Sequence, residues 1–439
     1  MSDILKVEGG RSLSGIVQVR GAKNFVPKAM VAALLTDQES RISNVPNIRD
    51  VEITSQLLEM HGSNVTYDST SGELTIDPGT THKIEVSDVA TLAGYSRIPI
   101  LLCGPLIRKL GEAKIPTLGG CSIGSRPLNF HFDSLRKFGA SVKFKDFGAE
   151  IKAPHGLKGT KIQLPYPSVG ATEQILLTGV SAEGVTEISN AAIEPEIIDL
   201  IAVLQKMGAI ISVETDRVIT IEGTPSLKGF QHRALNDRIE SGSWAALALA
   251  TDGEIYCQGA EQNNMSTFLN VFHKIGGEFD IDENGIRFYR KHGSLKGIAL
   301  ETDVHPGFMT DWQQPLVVAL TQAEGASIIH ETVYEDRFGF VAPLKDLGAK
   351  IQLYKECLGS IQCRFKTRNF EHSCAIFGPT PLHGSNIEIP DLRGGFSHII
   401  AALTAQGESR VSGVSLINRG YENFEQKLQA IGADFIFED

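Results

Sequence analysis

Four short stretches of this 439-residue chain set nucleophilic, acidic or basic side chains beside glycine, where backbone has the freedom to approach a ligand. In Arg20-Gly-Ala-Lys23-Asn24 a lysine follows a small-residue turn and precedes an apolar run beginning at Val26. A cation and backbone amides at a helix start make an anion site; a capped, solvated lysine is the plainer reading. Gly119-Gly-Cys121-Ser-Ile-Gly-Ser-Arg126-Pro surrounds a thiol with glycines and puts a guanidinium five residues on, which suits a mobile loop, a thiolate or an anion. In His305-Pro-Gly-Phe-Met-Thr-Asp311 a carboxylate stands on a turn just before an apolar helix, as an N-cap or as a general base. Last, Arg97, Arg337, Arg393 and Arg419 lie in small, polar contexts. Arginines beside glycines suit bidentate clamps on a small, densely anionic ligand. The chain has no Walker loop, no Gly-x-Gly-x-x-Gly after a strand and no Gly-x-Ser-x-Gly elbow.

These stretches depart from a frame that is written six times. An apolar helical pattern ends in glycine, and a short alternating strand follows, at Gly62, Gly139, Gly208, Gly276, Gly348 and Gly432. The separations are 77, 69, 68, 72 and 84 residues, too long for solenoid repeats. Each copy predicts a helix closed by a left-handed glycine and a half-buried strand such as Val142-Lys-Phe144. Upstream of several copies stands another short apolar strand, as in Gly184-Val-Thr-Glu-Ile, so the unit is strand, helix, strand. Six such units predict an α/β protein of two domains with three units each. The domain change is expected between Arg233 and Arg238, and the strands at Leu5-Lys-Val and Val17-Gln-Val could join either domain. Repeated caps and turns also account for 44 glycines, well above the usual share.

Composition narrows the function. A formal net charge of −11 disfavours a nucleic-acid partner, and 42% hydrophobic content is that of an ordinary globular chain. No apolar run approaches the length of a membrane span, and the N-terminus lacks a signal-length apolar core, so a cytoplasmic protein without a membrane partner is expected. Six cysteines without that signal predict reduced thiols. Neither Cys-x-x-Cys nor a His-x-x-x-His with a third ligand nearby occurs, so no metal site is expected, and every cysteine but Cys121 reads as a small buried hydrophobe. The residues alone thus lead to an acidic enzyme with an anion-rich pocket between two repeated domains.

A resemblance then adds to this reading. Lys23-Asn24, Gly-Gly-Cys-Ser-Ile-Gly-Ser-Arg-Pro, Ser168-Val-Gly-Ala-Thr, Glu194-Pro-Glu-Ile, Asp237-Arg-Ile-Glu, His305-Pro-x-Phe-x-Thr-Asp, Asp391-Leu-Arg and Arg419-Gly-Tyr-Glu together resemble the bacterial UDP-N-acetylglucosamine 1-carboxyvinyltransferases, of the enolpyruvyl transferase superfamily. The match is collinear along nearly the whole chain. It implies two inside-out α/β barrels of three repeated units, residues 22–235 and 1–21 plus 236–439, with the site in the cleft between them. It implies transfer of the enolpyruvyl group of phosphoenolpyruvate to the 3-hydroxyl of UDP-N-acetylglucosamine, the first committed step of peptidoglycan synthesis, with no cofactor. Uridine nucleotides or shikimate-3-phosphate are the alternative acceptors.

By the resemblance, Cys121 is the general acid and Asp311 the base. Lys23, Arg126 and Arg419 hold the phosphate of phosphoenolpyruvate, with Asn24 beside them and Arg393 on the carboxylate. Asn24, Arg97, Arg126, Pro127, Leu128, Asn129, Phe130, Ser168, Val169, Asp311 and Val333 match positions that touch the UDP-sugar. Asn129 stands where the family commonly carries Asp. Tyr166 stands where many members carry a lysine for the diphosphate, and a phenol can hydrogen-bond there but brings no charge. The resemblance further implies that fosfomycin, an epoxide mimic of phosphoenolpyruvate, alkylates Cys121.

Overall fold

The computed structural model describes residues 3–94, 96–118, 128–290, 293–361, 363–365, 367–389 and 392–438, with Leu392 and Arg393 described by their backbone. These residues separate into two compact units. The first takes in residues 21–118 and 128–235, the second residues 3–20 and 236–438.

Each unit holds three sheets, and each sheet carries one buried and one outer helix. In the second unit the buried helices are Arg238–Ala250, Thr310–Leu320 and Leu392–Thr404, which pack on one another. All residues of Arg238–Ala250 are buried, and its sequence explains this: small Ala, Ser and Gly with Leu and Trp leave no polar face, and Asp237 caps the first turn by accepting from the Ile239 and Glu240 N–H groups. In the first unit Val26–Ala32, Ile98–Leu101 with Cys103–Leu110, and Val169–Gly179 occupy the same place. Helices therefore form the core and sheets surround them.

The outer helices are amphipathic. Pro195–Lys206 begins on proline and buries Ile197, Leu200, Ile201 and Leu204, each contributing about 1.5–3 kcal/mol by leaving water. Such helices end where the sequence predicts: Gly62, Gly139, Gly208, Gly276, Gly348 and Gly432 all have φ between 79° and 102°. At Gly139 the cap is a Schellman turn, with Gly139 N–H donating to the Arg136 carbonyl at 2.9 Å and Ala140 N–H to the Leu135 carbonyl at 3.0 Å.

The sheets share one plan, a parallel pair extended by two antiparallel strands, most often a hairpin. Lys161–Gln163 runs parallel to Val185–Ser189, which pairs with the hairpin Ile210–Val213/Ile219–Glu222. Gln231–Arg233 with Ser40–Ser43, Ser14–Gln18 with Glu254–Gln258, Ala299–Glu301 with Ala323–His330, and Asn386–Glu388 with Gly407–Ser412 repeat the parallel pairing. In the sheet containing Glu112–Pro116, the described residues pair antiparallel only. Both N-terminal strands join the second unit: Ile4–Gly9 lies between Gly407–Ser412 and Asp434–Glu438, and Ser14–Gln18 lies beside Glu254–Gln258. Among the described residues, no helix is long and apolar enough to cross a membrane.

Candidate active site

In a parallel pair both strands point their carboxyl ends the same way, so the junctions leaving them gather at one end of each sheet. The candidate residues fall at two such places in the repeat. One is the start of the buried helix. Lys23 and Asn24 precede Val26–Ala32, Arg97 holds the N-cap position of Ile98–Leu101, Ser168 caps the helix that Val169 begins, Asp311 sits in the first turn of Thr310–Leu320, and Arg393 in that of Leu392–Thr404. The other is the junction between the next strand and the outer helix, which carries Val333 and Arg419. Helix starts present N–H groups and a positive dipole end, suited to anionic ligands.

In the first unit, Lys23 Nζ lies 3.0 Å from Asp50 Oδ2, and both side chains are mostly buried. Lys28 Nζ donates to the Asn24 carbonyl at 2.7 Å and lies 3.5 Å from Glu173 Oε1. Burial pushes the Glu173 carboxyl up to about 7, against the attraction of Lys28, and pushes the Lys28 ammonium down. Lysines and carboxylates thus alternate along the start of Val26–Ala32. Ser168 Oγ accepts from Ala171 N–H at 3.4 Å, and Tyr166 lies half-buried in the bend just ahead, its carbonyl accepting from Ser168 N–H at 2.7 Å. Leu128 and Phe130 pack against the core of this unit, while Asn129, the first residue of its outer helix, is exposed.

The second unit gathers its groups around Asp311. Every residue of Thr310–Leu320 except Asp311 is buried, and the N-cap position belongs to Met309. The capping reading of Asp311 is therefore replaced: its carboxylate accepts from Nη2 of the buried Arg337, 26 residues on. Arg337 also lies over the Tyr334 ring, 5.4 Å from its centroid. Beneath them the buried Glu331 accepts from Thr310 Oγ1 at 2.8 Å, Gln313 Nε2 at 3.0 Å, Val333 N–H at 2.7 Å and Tyr334 N–H at 2.9 Å. Burial pushes the Glu331 carboxyl up, against those bonds and the Arg337 charge. Asp311 and Val333 are thereby tied to one carboxylate. Arg419 ends the 3-10 turn Val414–Arg419, and the residues just after it are firmly held: Tyr421 OH lies 3.0 Å from Ser243 Oγ, and Glu422 lies 3.5 Å from Arg20 Nε. A buried pair, Glu240 and Lys427 at 2.6 Å, secures the next helix.

Cys121, Arg126 and Pro127 lie outside the described residues. Sequence reasoning missed Asp50, Glu173 and Glu331; the last had one signal, a lone acid between the apolar Ile328-Ile329 run and Thr332. Arg337 stood out as an arginine in the polar context Glu-Asp-Arg-Phe, but not as the partner of Asp311. Cys103, Cys257 and Cys374 are buried thiols as expected, and burial pushes Cys374 up to about 12. Cys363 is buried too, but Cys357 is only half-buried, which corrects the expectation there; the sulfurs of the two stand 3.3 Å apart, beside two imidazoles.

The family model for EPSP synthase (3-phosphoshikimate 1-carboxyvinyltransferase) matches residues 7–428. The chain belongs to this enolpyruvyl transferase family. A relative from Protochlamydia amoebophila, named UDP-N-acetylglucosamine 1-carboxyvinyltransferase, is 48% identical over 438 residues, covering 98% of this chain and 94% of its own. One of the same name from Chlamydia pneumoniae is 45% identical over 433 residues, with the same coverage. Among solved structures, the enolpyruvyl transferase NikO from Streptomyces tendae matches with a TM-score of 0.87 at 23% identity over 99% of both chains. EPSP synthase from Acinetobacter baumannii matches with a TM-score of 0.72 at 18% identity, again over 99% of both. These two likenesses establish the enolpyruvyl transferase fold for the whole chain.

Proposed function

We propose that this chain transfers the enolpyruvyl group of phosphoenolpyruvate to the 3-hydroxyl of UDP-N-acetylglucosamine and releases phosphate, the first committed step of peptidoglycan synthesis. The acceptor is supported by the name shared among relatives 44–48% identical over nearly the full chain. The chemistry is supported by Asp311, a carboxylate paired with a buried arginine at the one partly exposed position of an otherwise buried helix.

Asp311 takes the proton from the sugar hydroxyl, whose oxygen adds to C2 of phosphoenolpyruvate, while the Cys121 thiol gives a proton to C3. Phosphate then leaves C2 as a proton leaves C3, which restores the double bond as an enol ether. Lys23, Arg126 and Arg419 hold the phosphate, with Asn24 beside them and Arg393 on the carboxylate. These cations are worth most where charge develops in a site shielded from water. Asn24, Arg97, Arg126, Pro127, Leu128, Asn129, Phe130, Tyr166, Ser168, Val169, Asp311 and Val333 receive the UDP-sugar, with Tyr166 offering a hydroxyl to the diphosphate. On this reading the enzyme works in the cytoplasm, with small-molecule substrates and neither nucleic acid nor membrane as partner.

Phosphate release from phosphoenolpyruvate, measured with UDP-N-acetylglucosamine, UMP or shikimate-3-phosphate, tests the proposal. Release with the UDP-sugar is expected; release only with one of the other two overturns it. Fosfomycin is expected to add its mass to the Cys121 peptide in the presence of UDP-sugar, and Cys121→Asp to resist it.

A further inference from the structure

The strands Lys350–Tyr354 and Ser373–Gly378 form an antiparallel hairpin whose connection, residues 355–372, is eighteen residues long. The equivalent connections elsewhere are short: residues 69–72, 146–147, 214–218 and 282–284. The described residues of the long connection form no helix or strand, and Leu358 and Ile361 stand exposed. Only Cys363 and Phe365 of its described apolar side chains are buried, so a loop of this length gains from a further source of order.

Four side chains converge inside it. The ligand atoms of His330, Cys357, Cys363 and His372 all lie within 4.8 Å of one another. Cys357 Sγ is 3.3 Å from Cys363 Sγ and 3.3 Å from His372 Nε2. In a tetrahedral zinc site, Zn–S and Zn–N distances of about 2.3 and 2.0–2.1 Å put neighbouring donor atoms about 3.3–3.8 Å apart. The separations of Cys357 Sγ from Cys363 Sγ and His372 Nε2 are of that size, and the others, none above 4.8 Å, would contract by up to about 1–1.5 Å around an ion. Two thiols and two imidazoles in a tetrahedral set are a donor chemistry that selects zinc.

The surroundings are arranged for an ion. His330 is fully buried, and its Nε2 has no hydrogen-bond partner among the described residues. Its other nitrogen, Nδ1, lies 3.1 Å from Glu301 Oε2, and His372 Nδ1 lies 2.9 Å from the Phe370 carbonyl. Both contacts use Nδ1 and leave each Nε2 available for an ion, as in metal-bound histidines, with His372 Nε2 3.3 Å from Cys357 Sγ. Glu301 is itself held by Ser360 N–H and Oγ, each at 2.8 Å, and by Ile361 N–H at 2.7 Å. The connection presses close here: a Cβ on Gly359 would stand 2.3 Å from Glu301 Oε2 and 2.4 Å from His330 Nδ1. The histidines come from neighbouring strand ends, since His330 ends Ala323–His330 and His372 immediately precedes Ser373–Gly378. An open concavity of about 680 Å³, bordered by Cys357, Ser360 and Arg368, gives an ion access from solvent.

We propose that His330 Nε2, Cys357 Sγ, Cys363 Sγ and His372 Nε2 bind one structural zinc ion, which orders residues 355–372. Binding displaces the two thiol protons, so each ion taken up releases two protons from the cysteines. The clasp reaches the candidate active site. Glu331 follows His330 directly, Arg364 Nη2 donates to the Val333 carbonyl at 2.5 Å, and Arg368 Nη1 lies 2.8 Å from Glu335 Oε1. The ion would thus brace the segment that carries Arg337, the partner of Asp311.

The test is metal analysis of the full-length protein, purified in reductant without chelator and dialysed against zinc. About one zinc per chain is expected, falling below about a tenth in Cys357→Ser/Cys363→Ser. The wild-type protein loaded with Co²⁺ is expected to show thiolate charge-transfer bands and tetrahedral d–d absorption, which needs no variant to fold. Chelation is expected to lower Tm and to open residues 355–372 to protease, with zinc restoring both. Absence of bound zinc in the wild type, zinc unaffected by the double substitution in a folded protein, or a Cys357–Cys363 disulfide in the protein isolated under reductant would each overturn the proposal.

Discussion

The unit built on Val169–Gly179 closes its sheet through residues 214–218, where Glu214 N–H meets the Val218 carbonyl at 2.8 Å. The unit built on Thr310–Leu320 closes the corresponding hairpin through residues 355–372. Their parallel pairs, buried helices and glycine-capped outer helices correspond. Their carboxyl ends do not. One helix starts with Ser168 as a neutral cap and no acid in its first turn; the other starts with Asp311, held by Arg337 above the buried Glu331. In the first, the junction after the strand is pinned by Asn190 Nδ2 on the Leu164 carbonyl at 2.9 Å; in the second, by Glu331 and the side chains of the long connection. Burial fixes the frame, whereas junctions and hairpin tips at the open end of the sheet are released from packing and take on charge, ligands and length.

The two units should differ most sharply at their helix starts. Asp311→Asn is expected to lower kcat/KM by about 10²–10⁴-fold, the range for losing a general base, beside a stability loss from the weakened pair with the buried Arg337; Ser168→Ala is expected to cost about 1 kcal/mol of stability without that kinetic loss. Steady-state kinetics beside thermal melts separate them, and equal kinetic losses would erase the distinction. Next in size, Arg337→Met leaves Asp311 and Glu331 without their cation and is expected to cost about 3 kcal/mol. Urea titration checks this, and the loss should shrink when Asp311→Asn is added.

A pH series sharpens the contrast in the first unit. Burial raises the Glu173 carboxyl from 4.5 to about 7, so the folded protein holds this proton more tightly than the unfolded chain. Its contribution is full below about pH 4.5 and is lost as pH rises through about 7. Glu173→Gln should flatten that part of the stability profile, and an identical slope in both proteins would refute the assignment. The smallest effect tests sameness rather than difference. A Cβ at Gly208 in the first compact unit or at Gly432, a further repeat of the second, meets nothing within 4 Å, so Gly→Ala at either should cost only the left-handed strain, about 1–2 kcal/mol, in both compact units alike. Thermal melts of the two variants check this, and a loss confined to one unit would mean that the two caps are not equivalent.

The repeated frame was legible in the sequence because its signals are local. A glycine at φ near 100° after an apolar helix is decided within one turn, and period-two alternation within one strand, so six units could be counted without knowing what each touches. Residue type likewise picked out Lys23, Asp311 and the glycine-flanked arginines as able to do chemistry. What they meet was decided by tertiary structure. Arg337 reaches Asp311, and His330 stands with Cys357, Cys363 and His372, because strand register and the buried packing of helices set those distances, not spacing along the chain. The same holds for Ile4–Gly9, which fills a gap between Gly407–Ser412 and Asp434–Glu438 at the far end of the sequence. Local sequence determines conformations within a few residues; only the folded chain brings distant polar groups close enough, and far enough from water, for their charges and lone pairs to act on one another.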